Sequence, residues 1–541
     1  MEARSQLRHR PTREAFPNYN TRVLRTGPRT LDSPPFSYSH LRSNAKMHFL
    51  MTFARYLLLC SFPTLFPLAA QDLKLVAGLN NEQVLQRNPH QAADVHLTGT
   101  VTGKKTNGKA IEARITSPKS VLPNFDWVPV GRVQKVNWTA DLIGIPTGGP
   151  YRVELRMQGG NSVIAVSNIL VGDLWILAGQ SNMEGVGDLI DVQQPDPMVH
   201  SFDLSDHWVV AEEPLHTLIS AVDRVHWRNS PQGEPERWTG ARLQQYVQER
   251  KKGAGLGLPF AVDMFKRTGI PIGLIPCAHG GTSMEQWSPS LKDKEGDSLY
   301  GSMLRRFKAT GGRVRGVLWY QGESDANAKA APAFAERFES FVTAMRTDFE
   351  DPALPFYYVQ IGRHISGANV TEWNAVQEAQ RQAELRIPHS GMVVAVDSVL
   401  DDGIHVSTPD LKRLARRLAD RVCHDLFPRL KDYGELKPGP RPESARFENG
   451  IVKVDFTDVN GRLQSEGRIS GFSIHQADGT PVPMIFKARV DPAEASTVLL
   501  YIGGKLPEKA TLHYGYGKDP YCNLHDANDN AVPVFGPIQI Q

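Results

Sequence analysis

The stretch ILVGDLWILAGQSN, residues 169–182, decides the fold of this chain. Its apolar residues run almost without interruption, which is typical of a parallel strand that is covered on both faces. Four more runs of this kind follow, and segments with apolar residues at helical spacing lie between them. The four runs are IPIGLIPCA (270–278), VRGVLWYQG (314–322), PFYYVQIG (355–362) and GMVVAVDSV (391–399). This alternation predicts an α/β domain whose parallel sheet is flanked by helices.

The regions on either side of this domain have a different pattern. They consist of short alternating runs such as DVHLTGTVTG, separated by Gly, Pro and Asn, which is typical of antiparallel β structure. At 541 residues the chain is also too long for one ordinary core. We therefore predict a sandwich-like N-terminal β domain over 71–166, an α/β catalytic domain over 167–430 and a C-terminal β domain over 440–541.

The first 70 residues predict export rather than a folded domain. Residues 1–46 carry nine Arg or Lys and three Asp or Glu, and we interpret them as a basic leader that a mis-called translation start would explain. Residues 47–70 contain an apolar run that is shorter than the roughly 20 residues of a spanning helix and ends in small residues, like a signal peptide. Cleavage near Gln71 would leave a secreted or periplasmic protein without a stable membrane anchor. The alternative is a disordered tail before a buried helix.

Charge and cysteine content exclude several classes of protein. Without the leader the chain is slightly acidic, because the net charge of the whole chain is only +3. No basic stripe crosses the predicted domains, so we expect no nucleic-acid partner. Loss of Cys60 with the signal would leave an odd number of widely spaced cysteines, which does not predict a disulfide scaffold. No His or Cys cluster has metal-ligand spacing, so we predict neither a metal nor another cofactor.

Four polar clusters stand where apolar runs end. Ser181 follows the first run, HGGTS (279–283) the second, QGESD (321–325) the third and DDGIH (401–405) the last. Ligands of open parallel α/β sheets bind beyond the carboxyl ends of the strands, so we expect these clusters to meet there. The alternative reading, in which Ser181 is only a polar turn residue, accounts for none of the other three clusters.

The clusters contain the parts of a serine hydrolase. A serine hydroxyl needs a base to take its proton, and the base needs a carboxylate to orient it. Asp402 and His405 can supply both from one tight turn next to Ser181. Two other acids are close, but we expect Asp397 to end the preceding strand and Asp401 to face solvent.

An oxyanion hole is also predicted. The N–H groups of Ser181, Gly280 and Gly281 can hold a developing negative charge, and the side-chain amide of Gln321 can add a donor. Glycine suits this role because no Cβ blocks the approach of the substrate carbonyl.

Two other enzyme classes match less well. Glu323 and Asp325 could form a glycosidase-like carboxylate pair, but no second acidic cluster stands on an independent strand. An α/β-hydrolase elbow reads G-x-S-x-G, whereas Met183 stands at the second glycine position. A serine after the first strand and an Asp-x-x-His near the end of the domain instead resemble the SGNH (GDSL-like) hydrolases.

Longer motifs are similar to one family of carbohydrate esterases. The segments ILVGDLWILAGQSNM, GLIPCAHGGTSMEQW, LYGSMLRRF and RGVLWYQGESDA resemble the sialate O-acetylesterases and the related acetylxylan esterases. NNEQVLQRNP and the terminal LHYGYGKDPYCNLHDANDNAVPVFG extend the resemblance from about residue 75 to the C-terminus. The resemblance implies an SGNH-type three-layer fold and a secreted enzyme that removes acetyl groups from sugar hydroxyls through an acetyl-serine, without a cofactor.

The resemblance also implies roles for individual residues. It makes Ser181 the nucleophile, His405 the base and Asp402 the residue that orients it, with the GGT and QGES loops around the oxyanion. The substrate-binding residues that it implies are Gln180, Asn182, His279, Thr282, Trp287 and Glu323. Trp287 and Trp319 could stack on a sugar face, although core packing is an equal alternative for Trp319.

Two departures leave the substrate open. The run DDGIHVST has a glycine before its isoleucine and is closer to the acetylxylan-type ending. His279 stands where many relatives have an aromatic residue, so the pocket differs there. Sialic acid, xylan and other acetylated glycans therefore remain alternatives, as does a non-catalytic carbohydrate-binding protein on the same fold.

Overall fold

The computed structural model describes residues 72–229, 233–366 and 369–541. The predicted leader and signal peptide lie outside these residues. Among the described helices, none combines the length and the apolar character that a membrane crossing requires.

The described chain begins with an antiparallel sheet. The strands of this part of the chain are β1 (Leu73–Ala77), β2 (Val84–Gln86), β3 (Ala92–Val101), β4 (Ala110–Thr116), β5 (Val128–Gln134), β6 (Asn137–Pro146), β7 (Gly148–Met157) and β8 (Val163–Gly179). The sheet pairs them in the order β1–β3–β6–β5–β4–β7–β8, and their inward side chains form one core that contains Leu97, Trp138 and Leu155. The alternating apolar pattern of the sequence matches this arrangement, as in β6, where buried and exposed residues alternate along most of the strand.

The middle of the chain alternates strands and helices. Its strands are β9 (Gly187–Asp188), β10 (Val199–Phe202), β11 (Trp208–Val210), β12 (Arg228–Asn229), β13 (Pro235–Glu236), β14 (Lys252–Ala254), β15 (Ile272–Pro276), β16 (Gly316–Tyr320), β17 (Phe356–Gln360) and β18 (Ser390–Val394). Its α-helices are α1 (Ser181–Glu184), α2 (Gly240–Glu249), α3 (Gly257–Thr268), α4 (Leu299–Ala309), α5 (Phe334–Asp348), α6 (Val370–Arg386) and α7 (Thr408–Leu426). Short 3-10 helices span Leu218–Ser220, Arg224–His226, Pro289–Asp297, Glu323–Asp325 and Ala331–Ala333.

A parallel sheet forms the centre of this region. Its strands lie in the order β10–β15–β8–β16–β17–β18, with β11 antiparallel at the edge. Strands β15 to β18 are buried along their whole length, and helix α3 packs against α7 while α5 packs against α6. The prediction of an α/β protein with a large central sheet is therefore confirmed.

The long strand β8 connects the two sheets. Its first half pairs with antiparallel β7, and its second half lies between parallel β15 and β16. The strand passes without a break through position 166, where the sequence predicts a domain boundary. The strands β10 and β15, which follow β8 in the chain, lie on one side of it, whereas the later strands β16 to β18 lie on the other side. The winding of the sheet therefore reverses between β8 and β16. Ligands of doubly wound sheets bind at this reversal, beyond the carboxyl ends of the strands.

The last hundred residues form a separate set of antiparallel sheets. Its strands are β19 (Arg441–Glu448), β20 (Ile451–Thr457), β21 (Gln464–Ser465), β22 (Phe472–His475), β23 (Pro481–Val482), β24 (Ile485–Val490), β25 (Thr497–Ile502), β26 (Thr511–Tyr514), β27 (Leu524–His525) and β28 (Phe535–Gln539). Two four-stranded sheets, β19–β20–β25–β24 and β23–β22–β26–β28, share a core with the pair β21–β27. The side-chain amide of Gln360 exchanges two hydrogen bonds with the backbone of Val534, which attaches this region to the parallel sheet. The predicted additional β region is present.

Candidate active site

Ser181 lies at the carboxyl edge of the sheet, where the winding reverses. Strand β8 ends at Gly179, which has φ +132° and whose Cβ, if present, would lie 2.2 Å from the carbonyl oxygen of Tyr320. Only glycine fits between the two central strands at this point. The next residue, Gln180, donates its N–H to the same carbonyl at 2.8 Å, and helix α1 then begins at Ser181.

Three side chains form a continuous hydrogen-bond chain at this edge. The hydroxyl of Ser181 lies 2.9 Å from Nε2 of His405. The other ring nitrogen of His405, Nδ1, lies 2.8 Å from Oδ2 of Asp402. Serine, imidazole and carboxylate therefore stand in the order that a general base requires to activate a hydroxyl nucleophile.

Asp402 is held in place by the turn that it closes. Its Oδ1 accepts the N–H groups of Ile404 at 3.0 Å and of His405 at 2.9 Å. Partial burial opposes ionisation, but the hydrogen bonds from the side chain and backbone of His405 dominate and lower the pKa of Asp402 to about 2. The residue is therefore an acceptor for the imidazole N–H throughout the neutral range.

The two other acids near His405 have structural partners. The carboxylate of Asp401 accepts the N–H groups of Asp188 at 2.8 Å and Thr408 at 3.2 Å, so the expectation that it simply faces solvent is wrong. Asp397 lies three residues beyond the end of β18 and pairs with both terminal nitrogens of Arg417 at 2.9 and 2.7 Å. Neither carboxylate is bonded to the imidazole.

Asn182 connects three parts of the site. Its Nδ2 donates to Oε1 of Glu323 at 2.8 Å, and its Oδ1 accepts the N–H of Val406 at 3.0 Å. Asn182, the residue after Ser181, is thus hydrogen-bonded both to the loop that carries His405 and to the turn after β16. Burial raises the pKa of Glu323, and the hydrogen bond from Asn182 partly offsets this effect.

The glycine loop after β15 lies against the serine. A Cβ at Gly280 would lie 3.3 Å from Cβ of Ser181, so glycine permits this approach. In this state the N–H of Gly280 donates to Oε2 of Glu184 at 2.7 Å. Within the described residues, the N–H groups of Ser181 and Gly281 have no protein acceptor.

Gln321, Thr282 and Trp287, which the sequence predicts around the substrate, point into the protein and not toward a ligand. The amide nitrogen of Gln321 donates to the carbonyl of Thr282 and to Asp325, and the side chain is completely buried. The hydroxyl of Thr282 bonds to the carbonyl of His279 and accepts the indole N–H of Trp287. Trp287 is 0% exposed, so its predicted stacking on a sugar is wrong. These side chains shape the glycine loop from behind.

Gln180 and Trp319 are also interior residues. Oε1 of Gln180 accepts the N–H of Ser324 at 3.2 Å, which holds the turn after β16. Trp319 is 0% exposed, and its ring centroid lies 4.6 Å from that of Phe341, in agreement with the core-packing alternative.

Three further residues near the site carry little signal in the sequence. Glu184 lies one helical turn from Ser181, and this spacing was its only signal. His226 stacks on His279, with ring centroids 5.3 Å apart, although 53 positions separate them in the sequence. His364 follows β17 in a polar stretch of the same type as the four clusters, and its neighbour Ile365 donates to the carbonyl of Gly403 at 2.9 Å.

Comparisons with known proteins show similarity to carbohydrate esterases. Residues 171–424 match the family model of a carbohydrate esterase, sialic acid-specific acetylesterase. A protein of Arabidopsis thaliana named "Probable carbohydrate esterase" is 28% identical over 47% of this chain and 91% of its own length. The human sialate O-acetylesterase is 25% identical over 77% of this chain and 83% of its own length.

A solved structure supports the fold of the whole described chain. The crystal structure of a carbohydrate acetylesterase from Xanthomonas citri superposes with a TM-score of 0.60 at 23% identity, and the match covers 86% of this chain and 99% of that chain. Residues 171–424 are thus similar to the sialic acid-specific acetylesterases among the carbohydrate esterases, and the protein is a carboxylic ester hydrolase.

Proposed function

We propose that this enzyme hydrolyses acetyl esters on sugar hydroxyls through an acetyl-serine on Ser181. The observation that carries the proposal is the Ser181–His405–Asp402 chain, with distances of 2.9 and 2.8 Å, at the edge where the winding of the sheet reverses. Ser181 follows β8, whereas His405 and Asp402 follow β18. Their alignment is therefore a property of the whole fold and not of one local turn.

In the first half of the reaction, His405 acts as base and then as acid. Nε2 takes the proton of Ser181 as Oγ attacks the acetyl carbonyl, and a tetrahedral oxyanion forms. The N–H groups of Ser181 and Gly281 are its donors in this proposal, because neither has a protein acceptor in the described chain. Nε2 then gives the proton to the sugar oxygen, which leaves as an alcohol.

In the second half, water replaces the sugar. His405 takes a proton from water, the hydroxide attacks the acetyl-serine, and acetate leaves as Ser181 regains its proton. Asp402 remains a carboxylate in both halves and stabilises the imidazolium. The N–H of Gly280 can join the oxyanion site only when its hydrogen bond to Glu184 opens.

For the substrate we propose an acetylated sialic acid. The names of the family model and of the human relative both refer to sialic acid. We also propose that the fold is of the SGNH type. An acetylxylan or another acetylated polysaccharide is the alternative outcome of the experiment below.

The decisive experiment measures acetate release from a panel of acetylated glycans. Purified enzyme is incubated with mono-O-acetylated N-acetylneuraminic acid, acetylated xylan and p-nitrophenyl acetate. We expect turnover of the first and last, and loss of roughly 10⁶ in turnover in Ser181→Ala, because this change removes the nucleophile. A Ser181→Ala variant as active as the wild type would disprove the acetyl-serine route, and release from xylan alone would reassign the substrate.

We further propose that the protein is exported, with a mature chain that begins near Gln71 and carries the three predicted domains. The sequence of residues 47–70, which lie outside the described residues, supports this proposal. N-terminal sequencing of protein recovered from outside the cytoplasm tests it, since a retained leader would contradict it.

A further inference from the structure

His279 is the last member of a buried chain of polar side chains. Its Nδ1 lies 3.2 Å from Nδ1 of His226, and Nε2 of His226 lies 3.3 Å from the hydroxyl of Ser302. That hydroxyl lies 2.6 Å from Oδ2 of Asp223, whose carboxylate accepts two hydrogen bonds from Arg305 at 2.7 and 2.8 Å. His226 and Ser302 are 0% exposed, so water does not interrupt the chain.

The carboxylate end determines the direction of these hydrogen bonds. A carboxylate only accepts, so the hydroxyl proton of Ser302 points toward Asp223. The oxygen of Ser302 is then an acceptor for His226, and Nε2 of His226 carries the hydrogen. The carboxylate of Asp223 thus determines, through Ser302, which nitrogen of His226 carries the hydrogen.

Both imidazoles are neutral at neutral pH. Burial lowers the pKa of His226 well below its ordinary value, and the neighbouring His279 and Arg306 oppose its protonation further. Burial and the nearby charge of Arg228 lower the pKa of His279 to about 4. A neutral imidazole carries one N–H, so Nδ1 of His226 is an acceptor and Nδ1 of His279 is the donor. The remaining nitrogen of His279, Nε2, therefore holds a lone pair.

This nitrogen is available to a ligand. Nε2 of His279 makes no hydrogen bond with any described residue, and it is absent from their buried atoms that lack a partner. His279 immediately precedes Gly280, which lies against Ser181. The side chain is therefore a partly exposed acceptor on the residue next to the glycine that lies against the nucleophile.

We propose that Nε2 of His279 accepts a hydrogen bond from a free hydroxyl of the sugar next to its acetyl ester, and that the chain from Asp223 fixes the tautomer that makes it an acceptor. The inference rests on the proposed function, since it concerns the sugar that carries the ester. A neutral acceptor selects an O–H group and disfavours a carboxylate or carbonyl at the same place. A phenylalanine at this position offers no such acceptor and could only stack.

The kinetic test compares two substrates in His279→Phe. Mono-O-acetylated N-acetylneuraminic acid has hydroxyls beside the ester, whereas p-nitrophenyl acetate has none. We expect kcat/KM for the sugar to fall about tenfold more than kcat/KM for p-nitrophenyl acetate, the effect of one lost hydrogen bond. Equal losses on both substrates would overturn the proposal, because His279 would then act on the catalytic groups.

A matched control is available in the C-terminal sheets. His513 stacks on His475 with ring centroids 3.9 Å apart, so His513→Phe makes the same change in another histidine pair. We expect His513→Phe to leave both activities unchanged. If wild-type enzyme hydrolyses p-nitrophenyl acetate but no acetylated sugar, the proposed function and hydroxyl recognition both fail. If the wild-type enzyme hydrolyses the acetylated sugar, the proposed function stands, and the loss of kcat/KM in His279→Phe then tests hydroxyl recognition alone.

The tautomer is tested without any substrate. In protein labelled with [15N]histidine, the resonances missing from His279→Phe identify this ring. We expect Nε2 to show the chemical shift of an unprotonated nitrogen at neutral pH, and Ser302→Ala to produce a mixture of tautomers. A protonated Nε2 in the wild-type spectrum would overturn the assignment whether or not Ser302→Ala folds.

Discussion

At residue 402 one carboxylate has two tasks that an amide cannot perform together. Its Oδ1 accepts two backbone N–H groups, while Oδ2 accepts Nδ1–H of His405. In Asp402→Asn the amide oxygen can keep the backbone bonds, but the amide nitrogen then faces the imidazole and favours the wrong tautomer. We expect turnover of p-nitrophenyl acetate to fall about 10⁴-fold while the fold is retained. Circular dichroism and steady-state kinetics measure both.

Asp401 offers a control one position away. Its carboxylate accepts the N–H groups of Asp188 and Thr408 through one oxygen, and the amide oxygen of Asn can do the same. Asp401→Asn should therefore lower turnover by no more than about fivefold, the effect of weakening one hydrogen bond. Losses of equal size in the two variants would show that Asp402 is not the residue that orients the base.

At the scale of elements, helix α1, which follows β8, is bonded to the loops after two other strands. Asn182 bonds both to Glu323, after β16, and to Val406, in the loop after β18. Asn182→Ala frees the loop that carries His405 without removing any group that reacts. Because small misplacements of a base are costly, we expect kcat to fall on the order of a hundredfold with little change in KM.

Asn523 is the matched control for this element. It makes three comparable hydrogen bonds, from its Nδ2 to the carbonyls of Glu466 and Arg468 and to its Oδ1 from Ser470, within the C-terminal sheets. Asn523→Ala should leave kcat unchanged. If Asn182→Ala also had wild-type kcat, the bridge from α1 would not position His405.

At the scale of the whole molecule, the sequence predicts which loops meet but not where each side chain points. Buried parallel strands reveal themselves by continuous apolar runs, so the carboxyl edge with Ser181 and His405 could be predicted. Whether Trp287 faces a sugar or the core depends on packing from strands far away in the sequence. The contact between His226 and His279 could not be predicted from the sequence either, because it forms only when distant segments of the chain fold together.

Glu384 joins the parallel sheet region to the C-terminal sheets. This residue of α6 pairs with Arg441 of β19 at 2.6 Å and with Arg421 of α7 at 2.6 Å. Burial alone would raise its pKa, but the two guanidinium groups dominate, Arg441 first, and lower the pKa of Glu384 from 4.5 to about 2. The carboxylate is only 10% exposed, so solvent screens the pairs weakly.

Glu384→Gln should therefore destabilise the protein in a pH-dependent way. A depressed folded pKa contributes stability above the unfolded pKa, and this contribution is lost as pH falls from about 4.5 through about 2. We expect urea unfolding to show a loss of about 3 kcal/mol at pH 7 and about half of that at pH 3. The control is Glu339→Gln, which breaks the more exposed pair with Arg386 and should cost less than about 1 kcal/mol. A loss for Glu384→Gln that did not change between the two pH values would mean that the ionised carboxylate does not stabilise this junction.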